Sequence, residues 1–316
     1  MKDFVFLDET QTAKLLTMKE AVDVCDAVLK AQGLGQANLS KPAAMFLDAD
    51  PSQPTKFKVK GGSLLSLDVS GFRIVGDVGP DGIIAEHHYC LLLDPVTGKP
   101  RGLVAQTELH RIRTAACGLL ALRYLAPQDA HTFALIGAGK IGAAFALGFH
   151  DIFPDHNLII ASRRLEIAQD LANQNSSRGR RTLAMPIHEA ATRADGIVTL
   201  TTATEPVMTS DMFRPGMTIV GMGEYHELPV AMLRQADEFV VDDIGFASVL
   251  GSVSHWIARG ETTKDAVTTA ISATLSAIAA GQANGRRSRD SKVLAIVQGL
   301  AIADLALADL CRRKIQ

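Results

Sequence analysis

The chain has 316 residues, of which 47% are apolar, 21% charged and 5% aromatic, a length and apolar content sufficient for two domains with sizeable cores. Formal net charge is −2, from 32 basic and 34 acidic residues, and this balance argues against a broad nucleic-acid surface. The four cysteines, Cys25, Cys90, Cys117 and Cys311, form no CxxC pair and no dense framework, so free thiols and a cytoplasmic setting are expected.

No apolar stretch of signal-peptide length opens the chain at Met1-Lys2-Asp3-Phe4. Residues 13–32 read as a helix, with Leu15, Met18, Ala21, Val22, Cys25, Val28 and Leu29 at three- and four-residue spacing. Thr17 is placed to cap it, with Glu20 three positions on. From 56 to 105 the texture changes to short apolar runs, 56–60, 72–75, 89–93 and 102–105, separated by Gly and Pro. Asp94-Pro-Val-Thr-Gly98 is a hairpin signal. This region is expected to form a mostly antiparallel sheet.

Residues 114–126 read as a helix stopped by Pro127, and the rhythm then alternates. Strands are expected at 131–136, 158–161, 196–201, 217–220 and 238–241, and helices at 140–149 and 165–173. That alternation predicts a parallel, doubly wound α/β sheet of Rossmann type. Beyond Asp243 the chain reads as helical to its end. The two apolar stretches there, 266–280 and 293–310, are interrupted by Ser and Thr in the first and by Gln298, Asp304 and Asp309 in the second. Both are expected to be buried helices rather than membrane spans.

Gly137-Ala138-Gly139-Lys140-Ile141-Gly142 is a GxGxxG fingerprint that follows an apolar strand and opens a helix. Gly137 permits the tight turn, Gly139 lets a pyrophosphate reach the backbone, and Gly142 lets helix and strand pack closely. The helix N-terminus offers N–H groups to the phosphates. In NAD-preferring sites an acid some 20 residues further on holds the ribose 2′-hydroxyl. Here the next strand ends in Ser162-Arg163-Arg164, which suits a 2′-phosphate. NADP(H) is therefore favoured, with NAD(H) possible through the nearby Glu166.

The stretches Leu91-Leu-Leu-Asp94-Pro-Val-Thr-Gly98, His110-Arg-Ile-Arg113-Thr114-Ala115-Ala116, Ile136-Gly-Ala-Gly139, Arg214-Pro-Gly216 and Gly299-Leu-Ala301-Ile-Ala-Asp304 carry a resemblance. Together they make the sequence resemble the ornithine cyclodeaminase/mu-crystallin family. The resemblance implies an α+β substrate and dimerisation domain, residues 1–115 plus 292–316, into which a Rossmann domain, residues 116–291, is inserted. It implies a homodimer and a nicotinamide enzyme acting on small amino or imino acids. The residues themselves hold no HExxH and no Cys/His ligand set, so no metal is expected, and the charge balance and interrupted apolar runs predict neither a nucleic-acid nor a membrane partner. Cofactor contacts are assigned to the glycine loop, to Ser162, Arg163 and Arg164, and also to Thr114, Thr201 and Thr202.

By the same resemblance Arg113, the RTAA arginine, binds the substrate carboxylate, with Arg111 a weaker candidate. Lys60 and Arg73 compete for the place of the family's active-site lysine. Arg73 fits the spacing to Asp94, but a guanidinium does not release its proton. The family's cyclodeaminases carry an aspartate in a Gly-Asp segment; its counterpart here is Gly223, followed by Glu224, in a shorter segment. That departure favours an NAD(P)H-dependent reductase of imino or ketimine acids. The alternatives are an amino-acid cyclodeaminase that recycles its NAD and a nicotinamide-binding protein of low turnover.

Overall fold

The computed structural model describes residues 4–47, 57–76, 87–176 and 181–316. Lys56, placed in the first expected sheet strand, lies outside them. The chain divides into two compact units, Met1–Arg113 with Gly299–Gln316, and Thr114–Gln298.

Among the described residues, the first unit is built on a seven-stranded sheet. Its order is Val5–Leu7, Pro100–Ala105, His87–Leu93, Val69–Gly76, Phe57–Leu64 and Ala37–Leu39, with Met45–Leu47 also paired to Phe57–Leu64. All pairs are antiparallel except that of Val5–Leu7 with Pro100–Ala105. Period-two alternation gives the sheet two unlike faces. Lys58, Lys60, Arg73, His88 and Cys90 are buried on one, while Phe57 and Phe72 on the other are 40% and 43% exposed.

The helix Ala301–Lys314 packs on the strands Val69–Gly76, Phe57–Leu64 and His87–Leu93, and against the helix Met18–Gly33. Met18–Gly33 starts at the expected cap: Thr17 accepts from the Glu20 N–H, and the Glu20 carboxylate accepts from the Thr17 N–H. The hairpin at 94–98 also forms, with Asp94 Oδ1 accepting from the N–H groups of Val96 and Thr97.

The second unit carries an eight-stranded sheet, parallel throughout among the described residues. Its order is Thr182–Ala184, Asn157–Ala161, Thr132–Ile136, Gly196–Thr199, Thr218–Gly221, Val293–Ile296, Glu238–Val241 and Ile271–Thr274. The chain runs outward from Thr132–Ile136 in one direction and resumes on its other side at Gly196–Thr199. That junction is a topological switch point, the place where doubly wound sheets bind ligands. One core lies among Ile136, Ile197, Ile219, Phe239, Leu294 and the fully buried Trp256.

The region beyond Asp243 differs from the all-helical expectation. It contains Gly251–Ala258 and Lys264–Ala270, then a strand Ile271–Thr274, a short helix Leu275–Ala279 and a strand Val293–Ile296 before Ala301–Lys314. Val293–Ile296 is inserted between Thr218–Gly221 and Glu238–Val241. A four-residue apolar run carries no periodicity that separates strand from helix, and only the sheet neighbours decide it. The unit division accordingly falls at Gln298/Gly299 rather than at 291/292. The helix expected from 114 begins earlier, at Thr107, and contains the other division, between Arg113 and Thr114.

Candidate active site

In the second unit a cavity of about 470 Å³ opens at the switch point. Its lining includes Gly137, Ala138 and Gly139 from the glycine loop, Ser162, Arg163 and Arg164 beyond Asn157–Ala161, and Leu200, Thr201, Thr202 and Ala203 beyond Gly196–Thr199. Eight of the residues assigned to the cofactor from sequence thus line one cavity. Lys140, Ile141 and Gly142 form the first turn of the helix Lys140–Ile152, behind the loop. Thr114, in the helix Thr107–Leu125, is buried and not part of this lining.

The loop geometry follows from its glycines. Gly137 has φ +121°, and a Cβ there would run into the Leu200 carbonyl. A Cβ on Gly142 would run into the Gly137 carbonyl, so helix and loop approach only because it is absent. Gly139 caps the helix with no side-chain hydrogen bond, and a Cβ on it would meet nothing within 4 Å. Open space in front of uncapped helical N–H groups is what a pyrophosphate requires, so the residues present fit a dinucleotide. Ser162 accepts from the Arg164 N–H at 3.4 Å, and both Arg163 and Arg164 are exposed.

The first unit holds a second constellation, built across the buried sheet face. Lys60 pairs with Arg73 in the strand register, and Arg73 with Cys90. Arg73 Nε donates to Gln106 Oε1 at 2.8 Å, and the Gln106 amide donates to Asp304 Oδ1. The same Asp304 oxygen accepts from Arg113 Nε at 2.8 Å and lies 3.7 Å from Arg73 Nε. Arg113 Nη2 is 2.9 Å from His110 Nδ1, and the His110 ring meets the edge of His88 at 5.3 Å. Arg113 is 2% exposed and Asp304 1%, so this ion pair is withdrawn from water. Gly299, at φ +81°, leaves the space a side chain would take from the Arg113 guanidinium.

These neighbours set the protonation states. Burial, reinforced by Arg73, Lys58 and Arg113, pushes the Lys60 amine well below the ordinary lysine range, against the pull of Asp304. Burial also pushes the His110 imidazole well down, helped by Arg73 and Arg113. Burial works to raise the Asp304 carboxyl, but Arg113 and Arg73 outweigh it and hold it below its usual range. The group is therefore a cationic cluster organised by one buried carboxylate.

Lys60, Arg73 and Arg113 thus share one network. Arg111 instead pairs with Glu108 one turn away on its own helix. Sequence reasoning missed Lys58, Gln106 and His110 as members of the network, and read Asp304 as a motif residue and an interruption of an apolar stretch, not as a partner of the arginines. The available signal was a lone carboxylate in the apolar run Ala301-Ile-Ala-Asp304-Leu-Ala. Asp243 caps a turn by accepting from the Phe246 N–H at 2.8 Å. Gly223 supplies no carboxylate, and the buried acid of that segment is Glu227, at 0% exposure.

The profile of the ornithine cyclodeaminase/mu-crystallin family matches residues 3–316. The chain belongs to this family. It is 25% identical over 311 residues to the alanine dehydrogenase of Archaeoglobus fulgidus, covering 96% of this chain and 92% of that one. A solved archaeal alanine dehydrogenase, a dimer with bound NAD, superposes with a TM-score of 0.87 at 24% identity, covering 98% of this chain and 95% of the other. The iminosuccinate reductase of Paracoccus denitrificans, solved with NAD+, gives a TM-score of 0.85 at 25% identity, with coverage of 98% and 95%. Among the described residues, no helix is long and apolar enough to cross a membrane.

Proposed function

We propose that this family member is an NAD(P)H-dependent reductase of small 2-imino or ketimine acids. The observation that carries the reading is that one chain holds both a glycine-loop cavity shaped for a dinucleotide and a buried guanidinium pair organised by Asp304. NADP(H) is preferred over NAD(H), because Ser162, Arg163 and Arg164 stand where a 2′-hydroxyl acceptor would otherwise be. When bound, the reduced nicotinamide supplies a hydride to the carbon of a C=N bond.

The residues of the chain do the rest. Arg113 holds the substrate carboxylate, and Asp304, bonded to its Nε, fixes the plane of the guanidinium fork. Arg73 remains charged and adds a second cation. Lys60, whose ammonium is disfavoured by burial and by its cationic neighbours, gives its proton to the substrate nitrogen as the amine forms. A cyclodeaminase is disfavoured because Gly223 stands in place of the family's aspartate and the Glu227 carboxylate is occupied by backbone donors.

The chain forms a homodimer through the apolar face of the first unit's sheet. Phe6, Leu103, Leu91 and Phe72 stand in register across that face, and Met45, Val59, Ile74 and Tyr89 form a second row. Phe6 is 57% exposed and Met45 48%, and a contiguous apolar sheet face of this kind requires cover. A cytoplasmic location accords with Cys25, Cys90, Cys117 and Cys311 being buried and in no disulfide.

The test is NADPH and NADH oxidation measured against a panel of cyclic and acyclic 2-imino acids, with ammonia release from ornithine and lysine assayed in parallel. Stoichiometric cofactor oxidation is expected. Ammonia release without net cofactor oxidation identifies a cyclodeaminase, and neither activity identifies a binding protein.

A further inference from the structure

The nicotinamide side of the cavity is walled by the segment that follows Gly196–Thr199, because in a doubly wound sheet the adenosine half lies over the strand on the other side of the switch point. One side chain, Glu227, bonds to that wall on both of its carboxylate oxygens. Glu227 Oε1 accepts from the Thr201 N–H at 2.6 Å. Its Oε2 accepts from the Thr199 hydroxyl at 2.9 Å and from the Gly223 N–H at 2.5 Å. The Glu227 carbonyl also accepts from the N–H of Val207, another lining residue, at 2.9 Å. One residue therefore grips the wall at both ends of its loop.

Its own placement is rigid. Glu227 is 0% exposed, and the next residue, Leu228, accepts from Trp256 Nε1 at 2.7 Å and donates to Ser252 Oγ at 3.2 Å. Gly223 has no room for a side chain, since a Cβ there would overlap the Glu227 carboxylate. Three donors converge on two carboxylate oxygens, a valence that a neutral side chain of the same length does not reproduce.

We infer that Glu227 is a positioning residue for the nicotinamide half of the cofactor, acting through the backbone of Thr201 rather than by contact with substrate. The inference rests on the dinucleotide reading of the cavity. Glu227→Gln keeps the length of the side chain but turns an N–H group toward one of the donors, so the wall shifts. Thr199→Val removes one donor and leaves the carboxylate in place. The Thr199→Val arm reads the same coupling in a protein whose Glu227 is intact.

The experiment compares full cofactor with its adenosine half by calorimetry and fluorescence titration on the full-length protein. NADPH is paired with adenosine 2′,5′-bisphosphate, and NADH with ADP. In both variants the full cofactor is expected to bind about tenfold more weakly or worse, with a smaller loss for Thr199→Val, while the adenosine half binds within about twofold of wild type. Equal loss of full cofactor and adenosine half overturns the inference, because Glu227 would then support the unit as a whole. Unchanged cofactor affinity in both variants overturns it as well. Wild-type protein that binds neither pair removes the dinucleotide reading, and with it this inference.

Discussion

Removal of Asp304 is the sharpest test of the buried network in the first unit. The carboxylate is 1% exposed and serves Arg113 Nε at 2.8 Å, the Gln106 amide, and Arg73 Nε at 3.7 Å. At an effective dielectric near 20, unit charges ~3–4 Å apart attract by about 4–6 kcal/mol. Desolvation offsets much of that in the intact network, so the pair's net worth is small. Removing one side is different, because two guanidiniums then remain buried without their counter-ion, at a cost of about 3–5 kcal/mol. Asp304→Ala is expected to lose that much in urea unfolding followed by circular dichroism. Asp304→Asn also leaves the guanidiniums without a counter-ion but keeps an acceptor oxygen, and is expected to lose less than Asp304→Ala, at the lower end of that range, about 3 kcal/mol.

The Asn variant also has a signature in the pH profile. Asp304 pulls the Lys60 amine upward, so its neutralisation pushes Lys60 further below the ordinary lysine range. With protonated Lys60 as proton donor, activity falls as pH rises through its pKa. The alkaline limb of the turnover profile therefore moves to lower pH in Asp304→Asn. A loss of less than about 1 kcal/mol in Asp304→Ala, together with an unmoved alkaline limb in Asp304→Asn, refutes the account of a network organised by this carboxylate.

Arg113→Ala is expected to lose roughly 10²-fold in imino-acid reduction while keeping cofactor affinity, and Arg113→Lys to recover little, since a point charge does not orient a planar carboxylate; near-wild-type turnover at unchanged KM rejects the assignment. Fluorescence titration should give tighter binding of NADPH than of NADH, and replacing Arg163 and Arg164 together by Ala should narrow the gap, with equal or tighter NADH binding in the wild type as the contrary result. Light scattering at micromolar concentration should show a dimer, and Phe72→Asp should shift it toward monomer; a stable wild-type monomer speaks against the sheet-face interface. Lys314 and the Thr17 cap hold Glu20 down to about 2, below its ordinary 4.5, so its contribution is present above about pH 4.5 and lost as pH falls toward 2. Glu20→Gln should thus cost about 0.2–1 kcal/mol at pH 7, the range of an exposed pair, and nearly nothing at pH 2, as read by urea titration.

Local chemistry was legible in the sequence. The Thr17 and Glu20 cap, the Asp94–Gly98 turn and the Gly137–Gly142 loop each depend on residues a few positions apart, and each forms as read. The alternation of apolar runs after Pro127 also announced the parallel sheet, because the periods of helix and strand differ over spans shorter than one element. Tertiary structure decided what depends on distant partners. Val293–Ile296 became a strand because two strands flanking it in the sheet accept its backbone, and Ile271–Thr274 because the sheet edge was open to it. Asp304 and Gln106 became members of the Arg73 and Arg113 network only when the last helix packed on the sheet face, bringing together residues 191 positions apart in the case of Arg113 and Asp304. A carboxylate in an apolar helix reveals that it needs a partner, because burying it alone is too costly; which cations fulfil that need is set by the fold.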